Sequence, residues 1–319
     1  MTAALAGETL FARPGIRGAV RRGELLLHYQ PIVELGSRRP VGAEALLRWQ
    51  QPTGLSAPGA FWHETDGPCV QEIGQFVLDT ACRQLAAWRA EGLCAEVSVN
   101  TDPRELSRCW VASVYDALAR NGLPAAALNV ELTETSRIDA ADGAEIAAAL
   151  IRHGIGVALD DAGTGFNALA AVSELPLTEL KIDRSFVARL GDPRADALVR
   201  GLVAISRELG MRTVAEGVET EQQAQILEHY GVQRAQGYLF SRPVAPEGLA
   251  NYWRRASDLA GGARRLIEEL ATTGASPATI AAVLNRRGTP GPNGRNWRPA
   301  SVARVLASAV ELPRQRRQG

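Results

Sequence analysis

The sequence predicts an α/β protein, a (β/α)8-type barrel with an antiparallel first strand followed by a small all-α C-terminal module. Three observations predict this fold. Short β-rich runs alternate with helix-forming stretches, one link between runs is too short for a crossover helix, and the charge changes sign near residue 254. Alternating strands and helices are typical of a parallel sheet, and eight such strands indicate closure into a barrel.

Eight β-rich runs divide the first 253 residues. They are LLLHYQPIV (25–33), VGAEALLRW (41–49), AEVSVN (95–100), LNVELTE (128–134), GVALDD (156–161), ELKID (179–183), RTVAEGV (212–218) and AQGYLF (235–240). Only ELGSRRP joins the first two runs. A parallel pair needs a crossover of a dozen or more residues, so these two runs should form an antiparallel hairpin. Helical patterns separate most later runs, most clearly over 71–92 and 194–210, and each of these two ends at a glycine.

The composition indicates a globular protein with a sizeable core, since 46% of residues are hydrophobic and 22% charged. No apolar run approaches the roughly 20 residues of a membrane span, and the N-terminus lacks a signal-peptide pattern. The four cysteines show no zinc-binding spacing, which fits reduced thiols. We therefore expect a cytoplasmic protein without a membrane partner. It should comprise a flexible leader (1–13), the barrel (14–253), a basic helical module (254–312) and a basic tail (313–319).

Polar residues stand at the ends of most predicted strands. These residues are Asn100, Glu131, Glu134, Asp160, Asp161, Lys181, Asp183 and Glu216, and Glu44 lies within the second run. Barrel active sites are built at the C-terminal ends of the strands. The sequence therefore predicts that residues far apart in the chain meet on one rim.

The predicted rim carries five carboxylates, from Glu44, Glu131, Asp160, Asp161 and Glu216. Like charges this close resist ionisation unless cations compensate them. All the predicted ligand atoms are oxygens, which suits hard ions such as Mg²⁺ or Mn²⁺. Because Asp160 and Asp161 are adjacent, each can serve one of two ions roughly 3.5–4 Å apart, the spacing of phosphoryl-transfer sites.

Lys181 is the only lysine in the chain, in which every other basic side chain except the four histidines is arginine. One interpretation is a solvated surface charge without a role. The other is a compact ammonium in the cavity, which could orient an attacking water and stabilise a phosphate oxygen where the larger guanidinium would crowd the metals. The position of Lys181 at a strand end favours the second interpretation.

These motifs resemble the EAL-domain family of cyclic-di-GMP phosphodiesterases. The signature Glu44-Ala45-Leu46 is followed by VN, ELTE, DDxGTG, LKIDRSF, VAEGVET and QGYLFSRP, in order, within about residues 14–253. The resemblance implies a modified TIM-type barrel with a reversed first strand. It also implies hydrolysis of one phosphodiester bond of cyclic-di-GMP, giving linear pGpG. We expect Ca²⁺ to inhibit, because its larger and looser coordination should hold substrate without placing the water.

The resemblance also implies roles for individual residues. Metal ligands would be Glu44, Asn100, Glu131, Asp160, Asp161 and Glu216. Lys181 and Glu216 would act on the attacking water, and Glu134 would anchor the loop that follows the fifth strand. Substrate-binding positions would be Gln30, Leu46, Arg48, Gln236 and Glu219.

Two departures from the family pattern bear on activity. The family usually has an aromatic residue at the position of Ala162. The family's loop at this position contributes to the second metal site and to a dimer contact, so a homodimer is one of the assemblies that the sequence allows. Residues 61–74 are one residue shorter than the corresponding family segment and lack the proline that the family usually has near its start. These departures keep an alternative function open, a low-activity cyclic-di-GMP receptor that acts as a DNA-binding transcription regulator.

The C-terminal segment is basic. Residues 254–319 hold twelve arginines and four acidic residues, a net charge of +8, which leaves −8 on the remainder. Three helices are predicted at about 262–273, 277–287 and 299–308, with Trp297 in their core and Arg295 and Arg298 beside it. TIAAVLNRRGTPGPNGRNWRPASVARVL resembles a helix-turn-helix-like part of the large serine recombinases' recombinase domain. Charge and resemblance predict duplex DNA binding through residues 258–312, and docking on the acidic barrel or on a second copy is the alternative.

Overall fold

The computed structural model describes residues 15–133, 140–162, 168–289, 291 and 296–311. The predicted leader, the basic tail, Glu134 and Arg295 therefore lie outside the described residues, as do the glycines of the loop that follows Ala162. Ala162 itself is fully buried in the barrel core.

Among the described residues, eight strands form the closed barrel and a ninth extends it. The strands are β1 (Leu25–Glu34), β2 (Pro40–Gln51), β3 (Gly54–Ser56), β4 (Glu96–Thr101), β5 (Leu128–Thr133), β6 (Gly156–Ala162), β7 (Glu179–Ile182), β8 (Arg212–Ala215) and β9 (Arg234–Ala235). The order β1-β9-β8-β7-β6-β5-β4-β2 returns to β1 through the β1–β2 pairing, and β3 pairs only with β2. β1 is antiparallel to both of its neighbours, whereas the other barrel pairings are parallel. The predicted fold, including the reversed first strand, is confirmed.

Ten α-helices accompany the strands in the described ranges, besides three single-turn 3₁₀ helices. They are α1 (Gly67–Ala90), α2 (Arg108–Arg120), α3 (Ala140–Arg152), α4 (Ala168–Glu174), α5 (Arg184–Val187), α6 (Pro193–Glu208), α7 (Glu221–Tyr230), α8 (Pro246–Thr272), α9 (Pro277–Arg286) and α10 (Pro299–Glu311). Side-chain caps fix several of their starts. Asp66 accepts a hydrogen bond from the Cys69 N–H at the start of α1, and Thr220 and Gln223 form a capping box at α7. None of the helices described is both long and apolar enough to cross a membrane.

The last barrel strand is shorter than the sequence predicts. β9 covers two residues, although the β-rich run extends over 235–240. Gly237 has φ +155°, and a Cβ at this position would lie 2.2 Å from the carbonyl oxygen of Val218. The backbone approach that only glycine allows therefore turns the chain away from the sheet.

α8 connects the barrel to the module without a break. The sequence predicts a helix from residue 262, but α8 begins at Pro246. Its first half places Leu249 and Trp253 in the barrel core, and its second half places Ile267 in a separate apolar cluster. That cluster also contains residues of α9 and α10, together with Trp297, which is only 5% exposed as predicted.

Candidate active site

A bulge in β6 brings two adjacent aspartates into one cluster. Successive side chains of a regular strand point to opposite faces. Here the register shifts between Leu159 and Ala162, and Asp161 has φ +54°. The result is that carboxylate oxygens of Asp160, Asp161 and Glu216 lie within 4.8 Å of one another. A left-handed conformation costs a non-glycine residue roughly 1–2 kcal/mol, which the surrounding barrel must offset.

Lys181 lies at the centre of the carboxylates. Its side chain, on β7, is only 1% exposed. Nζ donates a hydrogen bond to Glu131 and lies 2.9 Å from Asp160 Oδ1, 2.7 Å from Glu216 Oε1 and 3.9 Å from Glu44 Oε1. The lone lysine is therefore not a surface charge but a buried ammonium, and the carboxylates around it lie on, or directly after, four other strands.

Burial and mutual repulsion set the charge state of this cluster. Burial raises the pKa of Glu131 well above its usual range, and Glu44 and Asp160 add to the effect although Lys181 opposes it. Burial also raises the pKa of Glu216 to about 8, against the opposing effect of Lys181. Burial disfavours the charge of Lys181, but the carboxylates outweigh it and hold the lysine pKa well above its ordinary value. At neutral pH the metal-free site thus retains protons that a bound cation would displace.

Two side-chain amides orient the acidic groups. Asn100 donates from Nδ2 to Glu44 Oε1 at 2.8 Å. Gln236 donates from Nε2 to Glu44 Oε2 at 2.6 Å and to Glu216 Oε1 at 3.3 Å. Asn100 and Glu131 are register partners in the β4–β5 ladder, so neighbouring strands place the amide and the carboxyl group side by side.

The donor set fits divalent cations. Four carboxylates lie within 4 Å of one ammonium, which leaves an excess of negative charge. Oε1 of Glu131 is buried and has no hydrogen-bond partner among the residues that the structure describes. Because the ligand atoms are carboxylate and amide oxygens, the site suits hard ions such as Mg²⁺ and Mn²⁺.

Four of the predicted substrate-binding residues lie near the carboxylate cluster, and the fifth, Glu219, lies outside it. Gln30 faces Glu44 in the β1–β2 register and donates from Nε2 to the Ser241 carbonyl at 2.9 Å. Leu46 and Arg48 share a face of β2 with Glu44 because strand side chains alternate. Burial lowers the pKa of Arg48, although Glu44 opposes this effect. Glu219 is exposed in the β8–α7 connection and has no hydrogen bond or ion pair to the cluster among the described residues.

Two further acidic residues lie at the site: Asp183, which the sequence places at a strand end beside Lys181, and Glu105, which no sequence pattern singled out. Asp183 is 7% exposed, caps α5, and is hydrogen-bonded to Asp161. Glu105 lines a cavity of about 510 Å³ that Glu44 and Asn100 also border. The signal that could have pointed to Glu105 is its position just after β4, in a polar segment that follows Asn100.

Comparison with known proteins assigns the family. The sequence model of the EAL-domain family matches residues 15–243 of this chain. The chain belongs to the EAL-domain family. This EAL domain is 41% identical over 241 residues to the bifunctional diguanylate cyclase/cyclic di-GMP phosphodiesterase MucR of Pseudomonas aeruginosa, a match that covers 73% of this chain and 35% of MucR. It is 33% identical over 236 residues to the cyclic di-GMP phosphodiesterase PA2567 of the same organism, covering 72% of this chain and 40% of that protein.

A solved structure is similar to the same EAL domain over its full extent. The PaMucR phosphodiesterase in complex with c-di-GMP superposes with a TM-score of 0.68 at 40% sequence identity. The match covers 73% of this chain and 97% of that one. By contrast, the chain spans well under half the length of the curated relatives MucR and PA2567.

Proposed function

We propose that this EAL domain hydrolyses cyclic-di-GMP to linear pGpG with two Mg²⁺ or Mn²⁺ ions. The observation that carries the proposal is the group of carboxylates around buried Lys181 at the C-terminal rim of the barrel. The similar PaMucR phosphodiesterase, which was solved with c-di-GMP, supports the choice of substrate.

The residues present divide into two groups of metal ligands. Asp160, Asp161 and Glu216 would hold one ion. Glu44, Asn100 and Glu131 come from the neighbouring strands β2, β4 and β5 and would hold the second, with Asp160 shared. Bound ions of this kind supply positive charge to the phosphate oxygens and make water more acidic.

The protein's own groups position the reactants. Arg48 offers a guanidinium to a phosphate, and Gln30 and Leu46 border the same face of the hairpin. Lys181 orients the attacking water, and Glu216 accepts its proton. Water adds at phosphorus and the P–O3′ bond breaks. The leaving O3′ takes up a proton from solvent, which leaves the 5′-phosphate and the free 3′-hydroxyl of pGpG. Gln236 holds Glu44 and Glu216 in place for this step.

Product chromatography with the purified full chain tests the proposal. Incubation of cyclic-di-GMP with Mg²⁺ or Mn²⁺ should yield pGpG, and Ca²⁺ should support binding without turnover. Tight binding without linear product under either activating metal would favour the receptor function instead. Full turnover with Ca²⁺ would contradict the site model.

We also propose that the C-terminal module binds duplex DNA. Asn285 donates to the Trp297 carbonyl at 3.0 Å and accepts from the Trp297 N–H at 2.5 Å. These bonds bring the end of α9, with exposed Arg286 and Arg287, next to exposed Arg298. These three arginines form no ion pair among the described residues, which leaves their charges available to phosphates, whereas Arg254, nearer the barrel, pairs with Glu91 at the end of α1.

A salt titration of DNA affinity tests this second proposal. Replacing Arg286 and Arg287 by glutamine in the full chain should weaken binding and make the log–log salt slope less steep by about 0.9 for each phosphate that is no longer neutralised. Arg207→Gln, on an exposed face of α6, is the matched control and should leave the slope unchanged. Affinity that does not respond to salt would exclude the DNA interpretation.

A further inference from the structure

Arg38 holds an unfavourable backbone conformation in the connection between β1 and β2. Its φ is +56°, in the left-handed region that residues other than glycine rarely adopt. In the part of the chain that the structure describes, Asp161, among the candidate metal ligands, is the one other non-glycine residue with a positive φ. Such strain persists only where surrounding contacts compensate for it, and it is concentrated at functional positions. The contacts of the Arg38 side chain should therefore show what the molecule gains from this conformation.

The Arg38 side chain is buried although it is charged. Only 10% of the side chain is exposed. Its Nη2 donates a hydrogen bond of 2.9 Å to Oε1 of Glu221, the first residue of α7. Nε and Nη1 are also buried, and neither has a hydrogen-bond partner among the described residues. Buried donors are normally satisfied, so this placement costs stability in addition to the backbone strain.

Arg38 also contacts the segment that follows β9. Its guanidinium carbon lies over the Phe240 ring, 5.5 Å from the ring centre, which is within the range of a cation–π interaction. Tyr252 of α8 borders the same guanidinium, since burial raises the pKa of this tyrosine and the Arg38 charge opposes the effect. One side chain from the β1–β2 connection thus reaches both the start of α7 and the β9–α8 connection.

The two connections that Arg38 contacts carry side chains of the candidate active site. Glu216 directly follows β8, and Gln236 directly follows β9 and donates from Nε2 to Glu216 Oε1 at 3.3 Å. The two connections are also bonded to each other through the backbone. The Val218 N–H donates to the Gln236 carbonyl at 3.1 Å, and the Leu239 N–H donates to the Val218 carbonyl at 2.9 Å. Movement of either connection would therefore shift Gln236 relative to Glu216.

We propose that Arg38 is a positioning residue, which clamps the β8–α7 connection to the β9–α8 connection so that Glu216 and Gln236 keep their relative placement. This inference rests on the proposed function. The clamp needs a guanidinium, because one nitrogen must reach Glu221 while the planar group lies over Phe240, and lysine offers only a single ammonium. Glycine would suit the left-handed backbone but would remove the clamp.

Hydrogen exchange of the metal-free full chain tests the clamp without reference to catalysis. In Arg38→Gly, peptides that cover 216–222 and 236–241 should exchange about tenfold faster, because the Val218 and Leu239 amides lose protection when the two connections separate more often. Peptides from β5 should exchange as in wild type. The melting temperature should stay within about 3 °C, since relief of the backbone strain and of the unpaired buried donors offsets the lost contacts.

Turnover of cyclic-di-GMP with Mn²⁺ on the same preparations gives the second readout. Arg38→Gly should lower kcat about tenfold and change KM much less, because the displaced groups, Glu216 and Gln236, act on the attacking water and the metal ligands. Arg38→Lys returns the charge without the planar group, so it should recover only part of the exchange protection and of kcat.

Arg39→Gln is the matched control. Arg39 is the next residue in the same connection, but it is exposed, and its side chain makes no hydrogen bond or ion pair within the described ranges. This variant should therefore change neither the exchange of the two connections nor kcat.

The outcomes separate the clamp from the proposed function. Unchanged exchange in both connections of Arg38→Gly, or exchange that rises equally throughout the chain, would overturn the clamp. Wild-type kcat in a variant with faster local exchange would overturn the positioning role, and full protection in Arg38→Lys would contradict the need for a guanidinium. Faster local exchange together with a wild-type chain that does not turn over cyclic-di-GMP would support the clamp and contradict the phosphodiesterase proposal.

Discussion

Lys181→Met removes the one positive charge from the carboxylate cluster while nearly preserving the length of the side chain. The ammonium is 1% exposed and lies within 4 Å of Glu44, Glu131, Asp160 and Glu216. Removing one partner of a buried ion pair costs about 3–5 kcal/mol, because the remaining charge is left uncompensated. Protonation of the acids recovers part of this loss, so we expect about 3 kcal/mol in EDTA at neutral pH, or a melting temperature lower by about 5–10 °C.

Divalent cations should reverse the loss of stability but not the loss of activity. Without the ammonium, the carboxylates no longer share their charge with Lys181, so Mn²⁺ should raise the melting temperature more in the variant than in the wild-type chain. Turnover should still fall about 100-fold or more, since under the proposed function the attacking water would lose the group that orients it. Differential scanning fluorimetry with EDTA and with Mn²⁺, followed by product chromatography on the same preparations, measures both effects.

Lys181→Arg separates charge from shape. It keeps the charge but forces a planar fork into a fully packed space, at a cost of about 1–3 kcal/mol from overpacking. Turnover should again fall about 100-fold, whereas affinity for cyclic-di-GMP should change much less because, in the proposed function, Arg48 and the metals would hold the phosphates. Near-normal turnover of this variant, or a Lys181→Met stability within about 0.5 kcal/mol of wild type, would refute the role assigned to the lysine.

Three other perturbations test the remaining parts of the molecule. The pKa of Glu216 is raised from 4.5 to about 8, so between these pH values the folded metal-free chain keeps a proton that the unfolded chain releases. The stability contributed by this group is therefore full below about pH 4.5 and is lost as the pH rises toward 8. Urea unfolding of wild type and Glu216→Gln in EDTA at several pH values checks this. Asp161→Asn can keep the left-handed backbone, so its melting temperature should hold while Mn²⁺ affinity measured by calorimetry falls about tenfold or more. Trp297→Ala should cost the module about 3–5 kcal/mol and make it sensitive to protease, with turnover retained because its apolar cluster is separate from the barrel core.

The placement of the acidic residues was predictable because it follows from topology. Asn100 and Glu131 stand at strand ends in the sequence, and parallel strands bring such positions to one rim. The seven-residue link after β1 was equally informative, since its length alone excludes a parallel crossover. Both the reversed strand and the location of the cluster therefore follow from the order and spacing of the runs.

Features that depend on tertiary packing were not predictable in this way. The sequence predicts a helix start at about residue 262, next to Gly261 and Gly262, and glycine costs about 1 kcal/mol in a helix interior. α8 nevertheless continues through them, since Trp253 on one side and Ile267 on the other are each held in a core. The cavity beside Glu105 was invisible for a related reason, because its walls come from three separate segments of the chain.

The reversed first strand joins the candidate active site to the helix that carries the module. β1 presents Gln30 opposite Glu44, and the adjacent residue, Tyr29, is bridged through its backbone to Val244, just before α8. The Tyr29 ring packs against Trp88 with centroids 4.7 Å apart, and Trp88 packs against Trp253 of α8 at 5.2 Å. Close-packed aromatic rings of this kind have few alternative arrangements, so a module ligand that moves α8 must repack them against the strand that holds Gln30. If DNA binding changes the affinity for cyclic-di-GMP in this way, linkage requires cyclic-di-GMP to change the affinity for DNA by the same factor.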